Sequence, residues 1–149
     1  MSDNAMSLLL EQAKGLEHKA QLALVSAQQE LQGYYVQLEQ IERYRLDYFR
    51  QMSERGKEGL SASSYGHLNR FIVQLDETLA KQRQAAIDFE DNVERCQEHW
   101  QQCRQKTRSL EWLIEKRQKE AKMRAERQEQ KQMDEFATLS FSRQQRNSY

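Results

Sequence analysis

The sequence predicts an all-α fold: two long helices form an antiparallel coiled-coil hairpin, the second helix longer and overhanging. Three observations carry this. Apolar residues recur in steps of four and three along Leu68, Ile72, Leu75, Leu79, Gln82, Ala86, Phe89, Val93, Cys96, Trp100, Cys103, Thr107, Leu110 and Ile114, with only Gln82 and Thr107 polar. One apolar residue about every 3.5 positions marks a stripe that winds left-handed around a partner. The 149 residues include no proline, and all five glycines (Gly15, Gly33, Gly56, Gly59, Gly66) lie in the first half. Charged residues make up 31%, hydrophobic ones 38%, and mean hydropathy is −1.02, a balance that suits long helices better than a thick core.

The first helix is expected over residues 7–54. Its apolar positions run Leu9, Ala13, Leu16, Ala20, Ala23, Ala27, Leu31, Tyr34, Leu38, Ile41, Tyr44 or Arg45, Tyr48 and Met52. Two consecutive steps of four, Ala23-Ala27-Leu31, relax the left-handed winding there. Residues 1–6 are set aside as a disordered N-terminus or a cloning remnant. Gly56 and Gly59 break the pattern in a turn over 55–61. Gly56 is the expected left-handed residue after helix one, and Ser61 or Ser63 the N-cap of helix two.

The second helix is expected over 62–138. A hairpin centred near residue 58 pairs positions whose numbers sum to about 116. Tyr48 then meets Leu68, Ala20 meets Cys96 and Leu16 meets Trp100, so one register occupies both stripes. In that register helix one ends opposite Leu110, and the rest of helix two projects alone. The sequence changes there. Arg104–Lys131 holds ten basic and five acidic residues, and after Ile114 the stripe positions become Arg117, Ala121, Arg124 and Gln128. Residues 140–149 are polar and form an expected flexible tail.

A molecule that buries a seam offers few concave pockets, which argues against an enzyme. The sequence holds no phosphate-binding glycine loop, nucleophile elbow or paired-carboxylate motif, so no cofactor is expected. Net charge is zero, from 23 basic and 23 acidic side chains, unlike a dedicated nucleic-acid binder. No apolar run approaches the roughly 20 residues of a membrane span. Leu8-Leu9-Leu10 is too short for a signal-peptide core. Cys96 and Cys103 lie roughly 10 Å apart along a helix, too far for a disulfide, and their place on the stripe suits a reducing cytosol. His18 and His99 face each other in the hairpin register, but two ligands without a third are a weak case for zinc, and no metal is expected.

Two stretches look functional. Tyr34, Tyr35, Tyr44, Tyr48, Phe49, Tyr65 and Phe71 crowd the turn-proximal third. One seam cannot enclose them all, and exposed aromatics on a long helix pair anchor partners. The second is the basic Arg104–Lys131 stretch. It suits an acidic surface or a dipole-lined protein cavity, although glutamates at helical spacing compensate much of its charge.

Tyr44-Arg45-Leu46-Asp47-Tyr48, then Phe71-Ile72 and Leu75-Asp76, then Trp100, and finally Glu129-Gln130-Lys131-Gln132-Met133-Asp134-Glu135-Phe136-Ala137 together resemble the FliJ family of the bacterial flagellar type III export apparatus. The resemblance runs from about Leu8 to Ala137. It implies a helical hairpin similar to the central stalk of rotary ATPases, seated in the ring of the hexameric flagellar export ATPase. It also implies contact with the cytoplasmic domain of the export gate protein and with export chaperones. By position, the gate-docking patch is Gln37, Ile41, Tyr44, Tyr48, Phe71, Leu75, Thr78 and Gln82. The end that carries both termini is expected to enter the ring, engaging it through Arg124, Arg127, Gln130, Lys131, Asp134 and Glu135. The implied location is the cytoplasm, peripheral to the inner membrane at the flagellar base, without membrane insertion or nucleic acid. The alternatives are a generic coiled-coil adaptor, a virulence secretion-system stalk, and a coiled coil that binds nucleic acid through residues 104–131.

Overall fold

A computed structural model describes residues 2–148. They form two helices that pack against each other, α1 (Asp3–Glu58) and α2 (Ala62–Asn147), and no strand occurs among them. The contacts fall into two compact units, Gly15–Cys103, which contains the turn, and Met1–Lys14 with Arg104–Tyr149.

In the turn unit, the α2 stripe is buried or half-buried at every expected position from Leu68 to Cys103. The α1 stripe keeps the expected positions from Ala27 to Met52, with Arg45 rather than Tyr44, and departs from them at two steps, where Glu17 and Leu24 replace Leu16 and Ala23. Ala20, Leu24 and Ala27 are buried, and Glu17, Leu31, Tyr34, Leu38, Ile41, Arg45, Tyr48 and Met52 are half-buried. Leu16 is 52% exposed, and Ala23 and Tyr44 also face solvent. Unbroken steps of four and three therefore run from Glu17 to Met52, with no local relaxation of the winding. Alanines spaced by seven fix the phase, and Leu24 fits it where Ala23 does not.

The turn differs as well. α1 continues through Gly56 to Glu58, and Gly59, at φ 93°, supplies the left-handed residue. Only glycine takes that conformation without a Cβ penalty. Ser61 caps α2: its Oγ accepts from the Ser64 N–H at 3.2 Å, and its carbonyl accepts from the Tyr65 N–H at 3.0 Å. The hairpin centre moves to about residue 60, and the register to sums near 120. The side chains agree. Tyr34 donates its hydroxyl to Gln82 and stacks on Phe89 at 4.7 Å, so its ring lies over Ala86 between them. Arg45 pairs with Asp76, and the Tyr48 and Phe71 rings lie 4.4 Å apart. Large residues again meet small ones, with Tyr34 level with Ala86 and Ala20 with Trp100.

In the unit of the termini, the helix begins inside the six residues set aside from the sequence. The Ala5 N–H donates to Ser2 Oγ at 3.2 Å and the Met6 N–H to the Ser2 carbonyl at 3.1 Å, so Ser2 is an N-cap. Met6 is only 3% exposed, and Ala13 and Thr107 are buried with it. Lys14 pairs with Glu111 at 4.0 Å. Asp3, Met6 and Ser7 share a shallow recess with Ile114, Arg117, Ala121 and Arg124. The cover on α2 therefore reaches Arg117, its last half-buried position before the bare end, rather than ending at Leu110. From Ala125 to Leu139 every residue is exposed, and the helix continues to Asn147, through residues expected as a tail.

The α1 phase is testable. Leu24→Ala should cost about 2 kcal/mol, the lower end for a buried leucine, whereas Leu16→Ala should stay within about 0.5 kcal/mol. Urea unfolding followed by circular dichroism reads both. A larger loss from Leu16 would restore the phase read from the sequence.

Candidate functional sites on two helix surfaces

Each helix contributes four of the eight positions in the turn-proximal patch. Residues 37, 41, 44 and 48 on α1, and 71, 75, 78 and 82 on α2, repeat in steps of four, three and four, so each set lies on one helical face. The two faces form one surface, joined by the Tyr48–Phe71 ring contact, 57° between planes. Ile41, Tyr48, Leu75 and Gln82 are half-buried and form its floor. Tyr44, 60% exposed, and Phe71, 40% exposed, stand at its rim, with Gln37 and Thr78 beside them. Two members are already engaged within the chain: Gln82 accepts from Tyr34, and the Thr78 hydroxyl donates to the Gln74 carbonyl at 2.9 Å. The group left free for a partner is an apolar, aromatic rim without charge.

The opposite edge of the same helix pair is ionic. It carries Arg45–Asp76, Arg83–Glu42 at 2.7 Å, and Tyr35 donating to Glu90. Such exposed pairs add little stability in water, but they give the two edges different chemistry. Donation to the Glu90 carboxylate, then desolvation and the Glu90 charge, raise the Tyr35 pKa above its usual 10.0.

The second candidate surface is the bare end of α2. Arg124, Arg127, Gln130, Lys131, Asp134 and Glu135 are all exposed there. Arg124 reaches the Glu120 carbonyl at 3.4 Å, and Gln130 donates to Asp134 at 3.1 Å. These are contacts within one helix, so the outward faces of the charged groups stay open. The other side of this helix carries Met133 and Phe136, the latter 73% exposed, which line a shallow recess with Glu129, Gln132 and Ala137. Leu139 and Phe141 are exposed beyond them. Trp112, exposed with Lys116 Nζ 5.2 Å from its ring centroid, was missed in the sequence. Its position outside the stripe was the available signal.

Among the described residues, no three His, Cys, Asp or Glu side chains are grouped to hold a metal. His18 and His99 are exposed, and His99 Nε2 lies 3.7 Å from Cys103 Sγ on the same helix. Neither cysteine is in a disulfide, and both are half-buried. No described helix is long and apolar enough to cross a membrane.

Glu90→Gln should return the Tyr35 pKa towards 10.0, read as tyrosinate absorbance against a Tyr35→Phe control. A group whose folded pKa is raised contributes its stability below the unfolded pKa and loses it as pH rises through the folded one. The contribution of Tyr35 is therefore present at neutral pH and disappears in the alkaline range. An unchanged titration in Glu90→Gln would remove Glu90 as the cause.

A family model described as flagellar FliJ protein matches residues 1–146. No curated protein and no solved structure matches the chain.

Proposed function

The chain belongs to the FliJ family of flagellar proteins, and from that membership we propose that it acts as the central stalk of the flagellar export ATPase ring, contacting the export gate and export chaperones. The family match over residues 1–146 carries this reading. The geometry is compatible with it. A stalk needs shape and asymmetry rather than catalytic groups, and the two candidate surfaces supply different contacts, one built from both helices and one from α2 alone. The bare helix from Ala125 onwards offers charged groups on one side and apolar groups on the other. A lining of mixed dipoles and apolar pockets inside a ring would engage both. The aromatic rim of Tyr44 and Phe71 suits a partner that buries apolar surface. The implied setting is the cytoplasm, peripheral to the inner membrane at the flagellar base. Chaperone contacts are part of the proposal at the level of the family, without residues assigned.

The tail assignment is tested by ATPase stimulation. A chain ending at Ala125 keeps every α2 residue that meets α1 and removes the bare helix. It should lose most of the stimulation given by the full chain, and Arg127→Glu with Lys131→Glu should lose part of it. Equal stimulation by the shortened and full chains would sink the tail as the ring-binding element.

The gate assignment is tested by binding to the cytoplasmic domain of the gate protein. Tyr44→Ala should cost about 2 kcal/mol or more, roughly thirtyfold in affinity, with helical circular dichroism preserved. Phe71→Ala should cost as much, but it also removes the ring contact with Tyr48 and should lower the melting temperature slightly. If Tyr44→Ala binds as tightly as the parent, the patch is not the gate contact.

A further inference from the structure

Trp112 stands on the side of α2 that faces away from α1. It lies two residues from each of the half-buried seam positions Leu110 and Ile114, and residues two apart on an α-helix point roughly 160° away from each other. Trp112 is accordingly 62% exposed. Arg108, Trp112, Lys116, Lys119 and Met123 follow one another in steps of four and three, so they share this outer face, and all five are exposed. The stripe they form is about 22 Å long, and its charged members are all basic. Glu126 comes next on the same side and ends it.

The surrounding charge is positive as well. From Arg104 to Arg124 there are eight basic residues and three acidic ones. Two of those acids are engaged: Glu115, at the edge of the stripe, pairs with Lys119 at 3.7 Å, and Glu111 pairs with Lys14 at 4.0 Å. Arg108 and Lys122 make no ion pair among the described residues. Lys116 holds its Nζ 5.2 Å from the Trp112 ring centroid. Trp112, Glu115, Lys116 and Lys119 line only a shallow recess. The seam, the aromatic patch and the bare end of α2 all leave this tryptophan unused.

We propose that this face binds the surface of an anionic membrane. The helix lies flat, with Trp112 and Met123 at the headgroup boundary and Arg108, Lys116 and Lys119 against the lipid phosphates. Charge complementarity requires an anionic partner, and shape and chemistry select a bilayer among such partners. The outer side of a single helix is convex, so a protein would have to bring a groove to it, whereas a bilayer moulds its headgroups around the helix. A nucleic-acid duplex would take the cations and leave the indole in water, because its bases are already stacked. An indole suits the headgroup level, with an apolar ring and a polar N–H. Lysine and arginine stems lie along the apolar layer while their charges stay among the headgroups. The contact lies in the plane of the membrane and does not cross it. It goes beyond a peripheral location and rests on this face alone, not on the export assignment.

Vesicle binding by the full chain tests this. Phosphatidylcholine vesicles containing phosphatidylglycerol should bind it, more weakly as salt rises, and phosphatidylcholine alone should not. In a Trp100→Phe background Trp112 is the only tryptophan, and its emission should shift to the blue on the anionic vesicles. Each cation near such a surface contributes roughly fivefold, so Lys116→Glu with Lys119→Glu should weaken binding at least about tenfold. Helical circular dichroism should not change, because both residues lie off the seam. Lys81→Glu with Arg95→Glu alters net charge equally at exposed positions of the turn unit and should leave binding within about twofold, since charges beyond a Debye length are screened. No binding to the anionic vesicles, equal binding to neutral ones, a Trp112 emission that stays fixed on bound vesicles, or equal losses from the two reversal pairs would each overturn the proposal. So would single-stranded RNA that shifts Trp112 emission where anionic vesicles do not, which would assign the face to nucleic acid.

Discussion

Two amphipathic helices that cannot bury themselves constrain everything else in this protein. Neither α1 nor α2 contains enough apolar residues to make a core alone. Each must cover the stripe of the other, and the cover is one seam wide. Burial is therefore thin: among the described residues the buried side chains are four alanines, with Met6, Leu24, Ile72, Leu79 and Thr107, and none of the large ones is fully buried. A seam of this kind is stabilised in many small increments rather than by a few large contacts. It also leaves most of both helices on the outside. That is why the candidate sites are surfaces and shallow recesses, and why the chemistry available to the chain is recognition.

A heptad stripe by itself permits slips of seven residues, since each slip again places apolar on apolar. Two features select one register here. The turn at Gly59–Ser61 fixes which positions are level, because the left-handed glycine and the Ser61 cap leave only three residues outside helix. The alternation of side-chain size then makes that register fit: Tyr34 requires the space over Ala86, between Gln82 and Phe89. A slip of seven would set Tyr34 against Leu79 or Val93 and open a void elsewhere. The polar pairs across the edge, Arg45–Asp76 and Arg83–Glu42, add little stability in water. They still penalise the wrong register, where like charges would meet.

Much of this was legible in the sequence because α2 states its pattern without ambiguity. The stripe from Leu68 to Ile114 has one apolar candidate at nearly every step, and each position is buried or half-buried. α1 offers competing phases. Leu16 with Ala23 reads as well as Glu17 with Leu24 when residues are counted as apolar or polar, and a glutamate on a seam looks like an error. The difference appears only once alanines spaced by seven are treated as the fixed points and the partner helix is present. The turn was misplaced for a similar reason. Gly56 and Gly59 are equally able to end a helix, and the choice depends on how far the seam continues to reward helix, which is a property of both strands of the hairpin. Residues 1–6 carried a readable start signal, Ser2 with Asp3, but the burial of Met6 depends on the reach of α1 along α2.

The candidate surfaces were legible to different degrees, and the seam phase explains why. The aromatic patch is anchored to α2 positions whose phase was never in doubt, so Phe71, Leu75, Thr78 and Gln82 could be placed on one face from spacing alone. On α1, the choice between Tyr44 and Arg45 for the seam was open. The structure puts the half-buried Arg45 against Asp76 and leaves Tyr44 outside. Had the seam turned the other way, Tyr44 would be packing and Arg45 free, and the surface would be cationic rather than aromatic. One residue of phase thus decides the chemistry of the patch. The same logic applies to the bare end of α2, where no partner helix exists to select a face. There, the charged side through Arg127 and Lys131 and the apolar side through Met133 and Phe136 are both presented. A long helix with no cover must gain something from each face, because an apolar side left in water earns no stability for the fold.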